Sequence, residues 1–216
     1  MLYFVNATDS ANRFDTIMGW QKLDRDKTKQ VIAKVMDQSN TVLFNPLTSE
    51  AECQSLPFYR SMLHYRITNY ASLPSFRMEY LGDGDSFFLF DGLADTIYKV
   101  NERASLSLKM DSVVPYLRFF LQNVNVEEGE VFLVEDTAKL EFMESLDFAQ
   151  KEHIEQNFKK PTATYEPTLS AFIINCTLYF MGVLMHTSVR VDMDGVVSIL
   201  DQTMLMQAGL GLNIHG

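Results

Sequence analysis

The clearest pattern of apolar and polar positions lies between Ala171 and Leu200. From Ala171 to Phe180 every even position is apolar, whereas the odd positions include Asn175 and Thr177. Because successive side chains of a strand point to opposite faces, this alternation predicts a strand with one buried face. A second alternating run (183–191) and a third extended run (196–200) follow, separated by the turn sequence 192–195. The segment predicts an antiparallel three-strand meander, and its period of two argues against a membrane span.

A second group of alternating runs begins at Leu63. Residues 63–68 and 76–80 alternate between apolar and polar side chains, which indicates two half-buried strands. The sequence 82–85, Gly-Asp-Gly-Asp, predicts a hairpin that leads into an apolar strand over Phe87–Phe90. A short strand over Thr96–Val100 is expected to complete a second meander.

Helical spacing of apolar residues appears between these groups. Val113–Val124 has apolar residues at i, i+3, i+4, i+7, i+8 and i+11, so it predicts a helix that lies across a sheet. An N-terminal helix is expected to begin at Asp24 or Asp26, because either side chain can cap it, and to end near Asn40. Ser145–Phe158 has a weaker helical pattern that charged residues dilute.

Three shorter segments complete the predicted elements. Thr48–Glu50 predicts the start of a short helix that stops before Pro57. Val131–Val134 is apolar and β-branched, which favours a strand, and Pro161–Pro167 is expected to be a connector.

Strands in two groups, with helices inserted between them, predict an α+β fold. We expect a mainly antiparallel, curved sheet built from two meanders, with three to four helices packed on one face, in a single domain spanning residues 1–216. Residues 1–40 would form an N-terminal arm and helix, in which Leu2–Val5 is a candidate edge strand. Residues 207–216 would form a flexible or partner-docking tail.

Composition and charge make several classes of protein unexpected. The chain has 216 residues, 47% of them hydrophobic and 21% charged, so it can bury a core without a disulfide or metal. Its formal charge of −10 repels phosphate backbones, so no direct nucleic-acid binding is expected. The two cysteines form no C-x-x-C, and the first residues lack the pattern of a signal peptide. A reducing cytoplasm is the expected compartment, without membrane contact.

The common catalytic motifs are missing from the sequence. There is no G-x-S-x-G, no phosphate-binding G-x-x-x-x-G-K-[ST], no G-x-G-x-x-G and no H-E-x-x-H. The two cysteines are interpreted as structural thiols, although a Cys/His nucleophile would depend on contacts that sequence does not reveal. We assign no catalytic residue and expect no cofactor.

One cluster of carboxylates is a candidate metal site. Four aspartates fall within thirteen residues, and several hard oxygens suit Ca²⁺ or Mg²⁺: Asp83, Asp85, Asp91 and Asp95. The spacing differs from an EF-hand loop, because Phe87–Phe90 interrupts it. Aspartate and glycine also build tight turns, which is the more common reason for such a cluster.

The polar faces of the predicted strands supply a candidate ligand site. Six side chains lie opposite the apolar positions of their strands: His64, Arg66, Arg77, Glu79, His186 and Arg190. On a curved sheet they would converge on a surface able to bind an anionic or carboxylate-bearing ligand. The alternative is an ordinary solvated face.

We therefore expect a non-enzymatic cytosolic interaction or small-ligand-binding protein, with a small anionic ligand or a protein as partner. A homodimer is expected, because the apolar strands outnumber the helices available to cover them. One alternative is a hydrolase or lyase that uses His186 or His64 as a general base in a sheet pocket. Another is a metal-dependent enzyme that uses the aspartate cluster.

Overall fold

The computed structural model describes residues 19–39, 42–125, 129 and 131–207. These residues form two antiparallel five-stranded sheets and four α-helices, so the predicted α+β class is confirmed. The two predicted meanders belong to two separate sheets. The chain divides into two compact units. The first comprises the residues up to Asp91 together with Asp95–Ser107, and the second comprises Gly92–Ala94 together with the residues from Leu108 onward. The expectation of a single domain over 1–216 stays a prediction.

The first unit is a meander with two helices. Its strands pair antiparallel in the order β1-β2-β3-β4-β5. The elements are β1 (Gln21–Lys22), α1 (Arg25–Ser39), β2 (Ser49–Ser55), β3 (Leu63–Asn69), β4 (Phe76–Gly82), β5 (Phe87–Leu89) and α2 (Ala94–Arg103).

Helix α1 covers one face of this sheet. Its buried Val31, Ile32 and Val35 pack with Ala51 and Ile67, which point to the same face from β2 and β3. The helix begins as predicted, because the Asp24 carboxylate accepts a hydrogen bond from the Lys27 backbone N–H at 2.8 Å. The opposite face carries the polar positions of β3 and β4.

The second unit is built around the predicted C-terminal meander. Strand β8 pairs with β9, and β9 pairs with β10, while β6 and β7 occupy the two halves of the other edge of β8. The elements are α3 (Val113–Asn123), β6 (Val131–Val134), α4 (Phe148–Asn157), β7 (Thr162–Glu166), β8 (Ala171–Phe180), β9 (Val183–Asp192) and β10 (Val197–Gln207).

The expected alternation holds in the half of β8 and β9 that contains Ile174 and Val189, but towards the connecting turn both faces are buried, as Leu184 and Thr177 show. Ile174 pairs with Val189 on one face, and both are buried. On the other face, Leu184 packs with Ile154 of α4 and Met206 of β10. Two short 3-10 turns, Thr137–Lys139 and Glu141–Ser145, connect β6 to α4.

Three predicted elements are wrong. Thr96–Val100 lies in helix α2, where Ile97 and Val100 are buried at helical spacing. Within Thr48–Glu50, the last two residues begin strand β2, because pairing with β3 outweighs the local helix-start signal. The predicted connector Pro161–Pro167 contains β7, which is ordered by pairing with β8.

Both ends of the chain lie partly outside the described residues. The expected strand Leu2–Val5 and the arm before residue 19 fall there, as does the expected tail after Gln207. None of the described helices combines the length and the apolar character needed to cross a bilayer.

Candidate functional site

The polar face of the first sheet holds a cluster of charged side chains around Glu79. Arg66 of β3 lies directly opposite Glu79 of β4, and its Nε donates to Glu79 Oε1 at 2.9 Å. The Nε2 of His64 lies 2.7 Å from the other carboxylate oxygen of Glu79, and the His64 side chain is only 6% exposed. One carboxylate therefore accepts hydrogen bonds from two predicted site residues.

Both ring nitrogens of His64 are engaged. The Gln54 amide nitrogen lies 3.2 Å from Nδ1 and donates a hydrogen bond to it. Because Nδ1 then acts as the acceptor, the ring proton lies on Nε2, which donates it to Glu79. Trp20 and Phe90 contact the ring edge-on, with centroid distances of 4.8 and 5.2 Å. In this arrangement neither nitrogen is available to take a proton from a substrate.

The electrostatics of the cluster depend on burial and on these donors. Burial by itself raises the pKa of the Glu79 carboxyl, but the contacts with His64 and then Arg66 outweigh burial and hold that pKa below its ordinary value. The Arg66 guanidinium also stacks over Trp20, 3.8 Å from the ring centroid. The cluster is thus a closed polar network on the sheet surface.

Arg77 lies on the same face but outside this network. It is exposed, and its Nε lies 3.4 Å from the hydroxyl of Thr68, its partner across β3 and β4. Such a long contact fixes the guanidinium only weakly.

His186 and Arg190 belong to the second unit, on one face of β9. The Nε2–H of His186 donates to the backbone carbonyl of Asn157, at the end of α4, at 2.7 Å. Arg190 donates to Asp192 Oδ1 at 2.7 Å, so its charge is compensated within its own strand. The structure therefore brings His64 and Arg66 together on Glu79, and it places His186 and Arg190 on another sheet.

A small recess lies beside His186. It has a volume of about 230 Å³ and is lined by side chains of both signs, together with small hydroxyl groups. Ser188 donates to the Asn175 side chain at 2.6 Å within it. The lining residues are Lys159, Asn175, Cys176, His186, Thr187, Ser188, Asp201 and Thr203.

The four aspartates of the predicted metal site take part in a turn, in the first turn of a helix, and in hydrogen bonds or ion pairs with nearby side chains. Asp83 Oδ1 accepts from the backbone N–H groups of Asp85 and Ser86, and Asp85 pairs with Lys34 at 3.0 Å. Asp91 accepts from the Thr96 hydroxyl. Asp95 lies in the first turn of α2. Among the described residues, no three His, Cys, Asp or Glu side chains are grouped closely enough to hold a metal ion.

The two thiols are buried and free of disulfides. Burial raises the pKa of Cys176 to about 12 and also raises the pKa of Cys53. No hydrogen bond joins either thiol to a histidine in the part of the chain that the structure describes; the Cys176 thiol donates instead to the Thr187 carbonyl. A groove of about 640 Å³ beside α3 and β6 has neither histidine nor cysteine among its described lining residues.

Strand β10 forms the outer edge of the second sheet. It is eleven residues long, and among the described residues only β9 pairs with it. Three apolar side chains are more than half exposed on it, at 54%, 53% and 63%: Ile199, Leu200 and Met204. The apolar pattern of residues 196–200 predicted the strand but not its place at an edge, because pairing partners are distant in sequence.

Comparison with known proteins gives no match. No protein-family model, curated protein or solved structure matches the chain.

Proposed function

We propose that this chain is a non-enzymatic interaction protein that forms a homodimer by pairing β10 with β10 of a second copy. The observation that carries the proposal is the long, apolar outer edge of β10. An edge strand presents main-chain donors and acceptors that another strand can satisfy, and proteins usually protect such edges with charges, prolines or short strands.

Strand β10 has little of this protection. Asp201 is its only charged residue, and it contains no proline. Two register irregularities, between Ile199 and Asp201 and between Met204 and Met206, leave a regular segment between them. Because the chain has a net charge of −10, two copies repel each other least where charge is sparse. A second copy is therefore favoured at β10.

The residues of β10 suit a twofold axis. Two identical strands can pair antiparallel about such an axis, since each offers the same donors and acceptors to the other. With the axis beside Gln202, Met204 of one copy would lie near Leu200 of the other, at the end of this regular segment. Both exposed apolar side chains would then lose solvent contact, which supplies a hydrophobic contribution to association.

The test is the oligomeric state of the full chain, measured by sedimentation velocity over a wide range of concentration. Wild type is expected to be a dimer, and Met204→Lys is expected to be a monomer, because two ammonium groups would enter the interface. The matched control is Val42→Lys, which places the same charge on another exposed apolar side chain, 85% exposed in the first unit.

One outcome would contradict the homodimer itself, and another would contradict only the assignment of the interface to β10. A wild-type chain that is monomeric throughout would overturn the homodimer. A dimer that Met204→Lys and Val42→Lys leave equally intact would overturn the assignment to β10. Circular dichroism of each variant checks that a loss of dimer is not a loss of fold.

Two observations support a binding role over a hydrolase or lyase. Both ring nitrogens of His64 are engaged, by Gln54 and Glu79. His186 is anchored to a main-chain carbonyl and not to a carboxylate or thiol that would orient it as a general base. The two free, buried thiols accord with a location in the reducing cytoplasm, which is part of this proposal.

A further inference from the structure

A recess at the start of α1 contains a buried hydroxyl group with no hydrogen-bond partner. The recess has a volume of about 380 Å³, within the range of small-ligand clefts. Its wall is formed by the first turn of α1, the start of β2 and the loops beside them. The lining residues are Lys22, Leu23, Arg25, Thr28, Pro46, Leu47, Thr48, Ser49, Glu50 and Tyr70.

Ser49 is the unusual residue of this recess. It is 7% exposed, and its Oγ is buried without a partner. A buried hydroxyl that makes no hydrogen bond costs folding free energy, so it is usually paired with protein, water or a ligand. Thr28, which is 5% exposed, adds a second buried hydroxyl, and its contact with the Leu23 carbonyl is long, at 3.5 Å.

The charge of the lining is opposite to that of the whole chain. The lining contains two cations, Lys22 and Arg25, and one carboxylate, Glu50. Lys22 already forms an ion pair with Glu50 at 2.5 Å. Arg25 makes no ion pair with any described residue. Its guanidinium therefore has donors available in a chain whose net charge is −10.

The walls are held in place by the main chain. The Leu23 N–H donates to the Ala51 carbonyl, and the Tyr70 N–H donates to the Thr48 carbonyl, each at 2.9 Å. These bonds tie both sides of the recess to the start of β2. The positions of Ser49 and Thr28 are thus set by the fold before any ligand arrives.

From these observations we infer that this recess binds a small tetrahedral oxyanion, of the kind presented by phosphate. The Arg25 guanidinium supplies several donors in a planar fork, and the hydroxyls of Ser49 and Thr28 supply neutral donors at its base. The N-terminal end of α1 faces the same region and adds a favourable dipole, although the Asp24 carboxylate already occupies the Lys27 N–H. The site is separate from β10 and does not depend on dimer formation.

The test is a titration of the full chain with inorganic phosphate, followed by calorimetry and by amide chemical shifts. Wild type is expected to show saturable binding, with shifts concentrated at Ser49, Thr28 and Arg25. Sulfate is expected to compete, and chloride at equal ionic strength is not. Arg25→Ala is expected to lower affinity about tenfold or more, because a charged donor is lost.

Two further variants make the result decisive. Ser49→Ala removes the unpaired hydroxyl and is expected to weaken phosphate binding without lowering the melting temperature of the free protein. Lys29→Ala, an exposed change on the same helix, is the matched control and should leave affinity unchanged. The inference is overturned if phosphate does not saturate, or if Arg25→Ala and Lys29→Ala have the same effect.

Discussion

The Nε2 of His64 lies 2.7 Å from Glu79 Oε2 on the polar face of the first sheet, although the two residues are fifteen positions apart. The pairing of β3 with β4 brings them together, and Arg66 shares the same carboxylate. A buried histidine with both nitrogens engaged indicates a structural role for this cluster.

The Glu79 contacts predict a pH dependence of stability. Because the folded-state pKa of Glu79 lies below the ordinary carboxyl value of 4.5, its contribution is fully present above that pH. It is lost as the pH falls through the lower, folded-state pKa. Glu79→Gln is expected to reduce the free energy of unfolding by about 1–2 kcal/mol at neutral pH, and the difference from wild type should shrink on acidification. Urea unfolding at several pH values measures this difference, and a constant difference would contradict it.

The packing of α1 on the first sheet predicts a large effect of truncating its core residue. Ile32 is fully buried, so Ile32→Ala is expected to cost about 2–5 kcal/mol of unfolding free energy through lost contacts and a cavity. Fluorescence of Trp20, the single tryptophan, can follow urea unfolding. Lys29→Ala, on the exposed side of the same helix, serves as control and should change stability little. Equal effects of the two substitutions would argue against this packing.

The buried thiols are expected to be unreactive in the folded protein. With the pKa of Cys176 raised to about 12 by burial, and that of Cys53 also raised, little thiolate forms at pH 8. A thiol-specific disulfide reagent should therefore detect two thiols per chain only after denaturant is added. Rapid modification of either cysteine under native conditions would show that the thiol is accessible.

A hydrogen bond links α3 to the hairpin turn between β9 and β10. The hydroxyl of Tyr116, a fully buried side chain, donates to the Gly195 carbonyl at 2.7 Å. Tyr116→Phe is expected to cost about 1 kcal/mol, because the carbonyl loses a donor while the ring packing is kept. Tyr165→Phe, at a tyrosine that is 42% exposed, is the comparison. Thermal unfolding of both variants measures the effect, and an unchanged Tyr116→Phe would contradict the expectation.

Asp201 is expected to weaken the proposed dimer. Its carboxylate accepts from the Gln202 backbone N–H at 2.9 Å, and an incoming strand would compete for that donor. In the proposed dimer, the Asp201 carboxylates of the two copies would also lie close together near the twofold axis. Asp201→Asn removes this charge while keeping a side-chain acceptor, and it is expected to tighten self-association, the opposite of Met204→Lys. Sedimentation equilibrium compares the dissociation constants, and weaker association of Asp201→Asn would count against strand pairing at β10.

The candidate site was only partly predictable from the sequence. Alternation correctly placed His64, Arg66 and Glu79 on one polar face, because strand side chains alternate whatever the partner strand is. Alternation does not reveal which strands are neighbours, and so it could not separate these residues from His186 and Arg190. The recess with Ser49 and Arg25 had no sequence signal, since its walls come from segments that are separated in the sequence and meet only in the folded chain.

By itself the sequence determined the α+β class, the C-terminal meander and the positions of α1 and α3, because side-chain periodicity and capping are local properties. The tertiary structure decided that Thr96–Val100 is helical, that β7 is a strand, and that the two meanders form two sheets. It also decided that β10 is an edge. The strand pairings and the edge depend on hydrogen bonds between segments distant in the chain, and the helical state of Thr96–Val100 goes with the burial of Ile97 and Val100 on one side of α2.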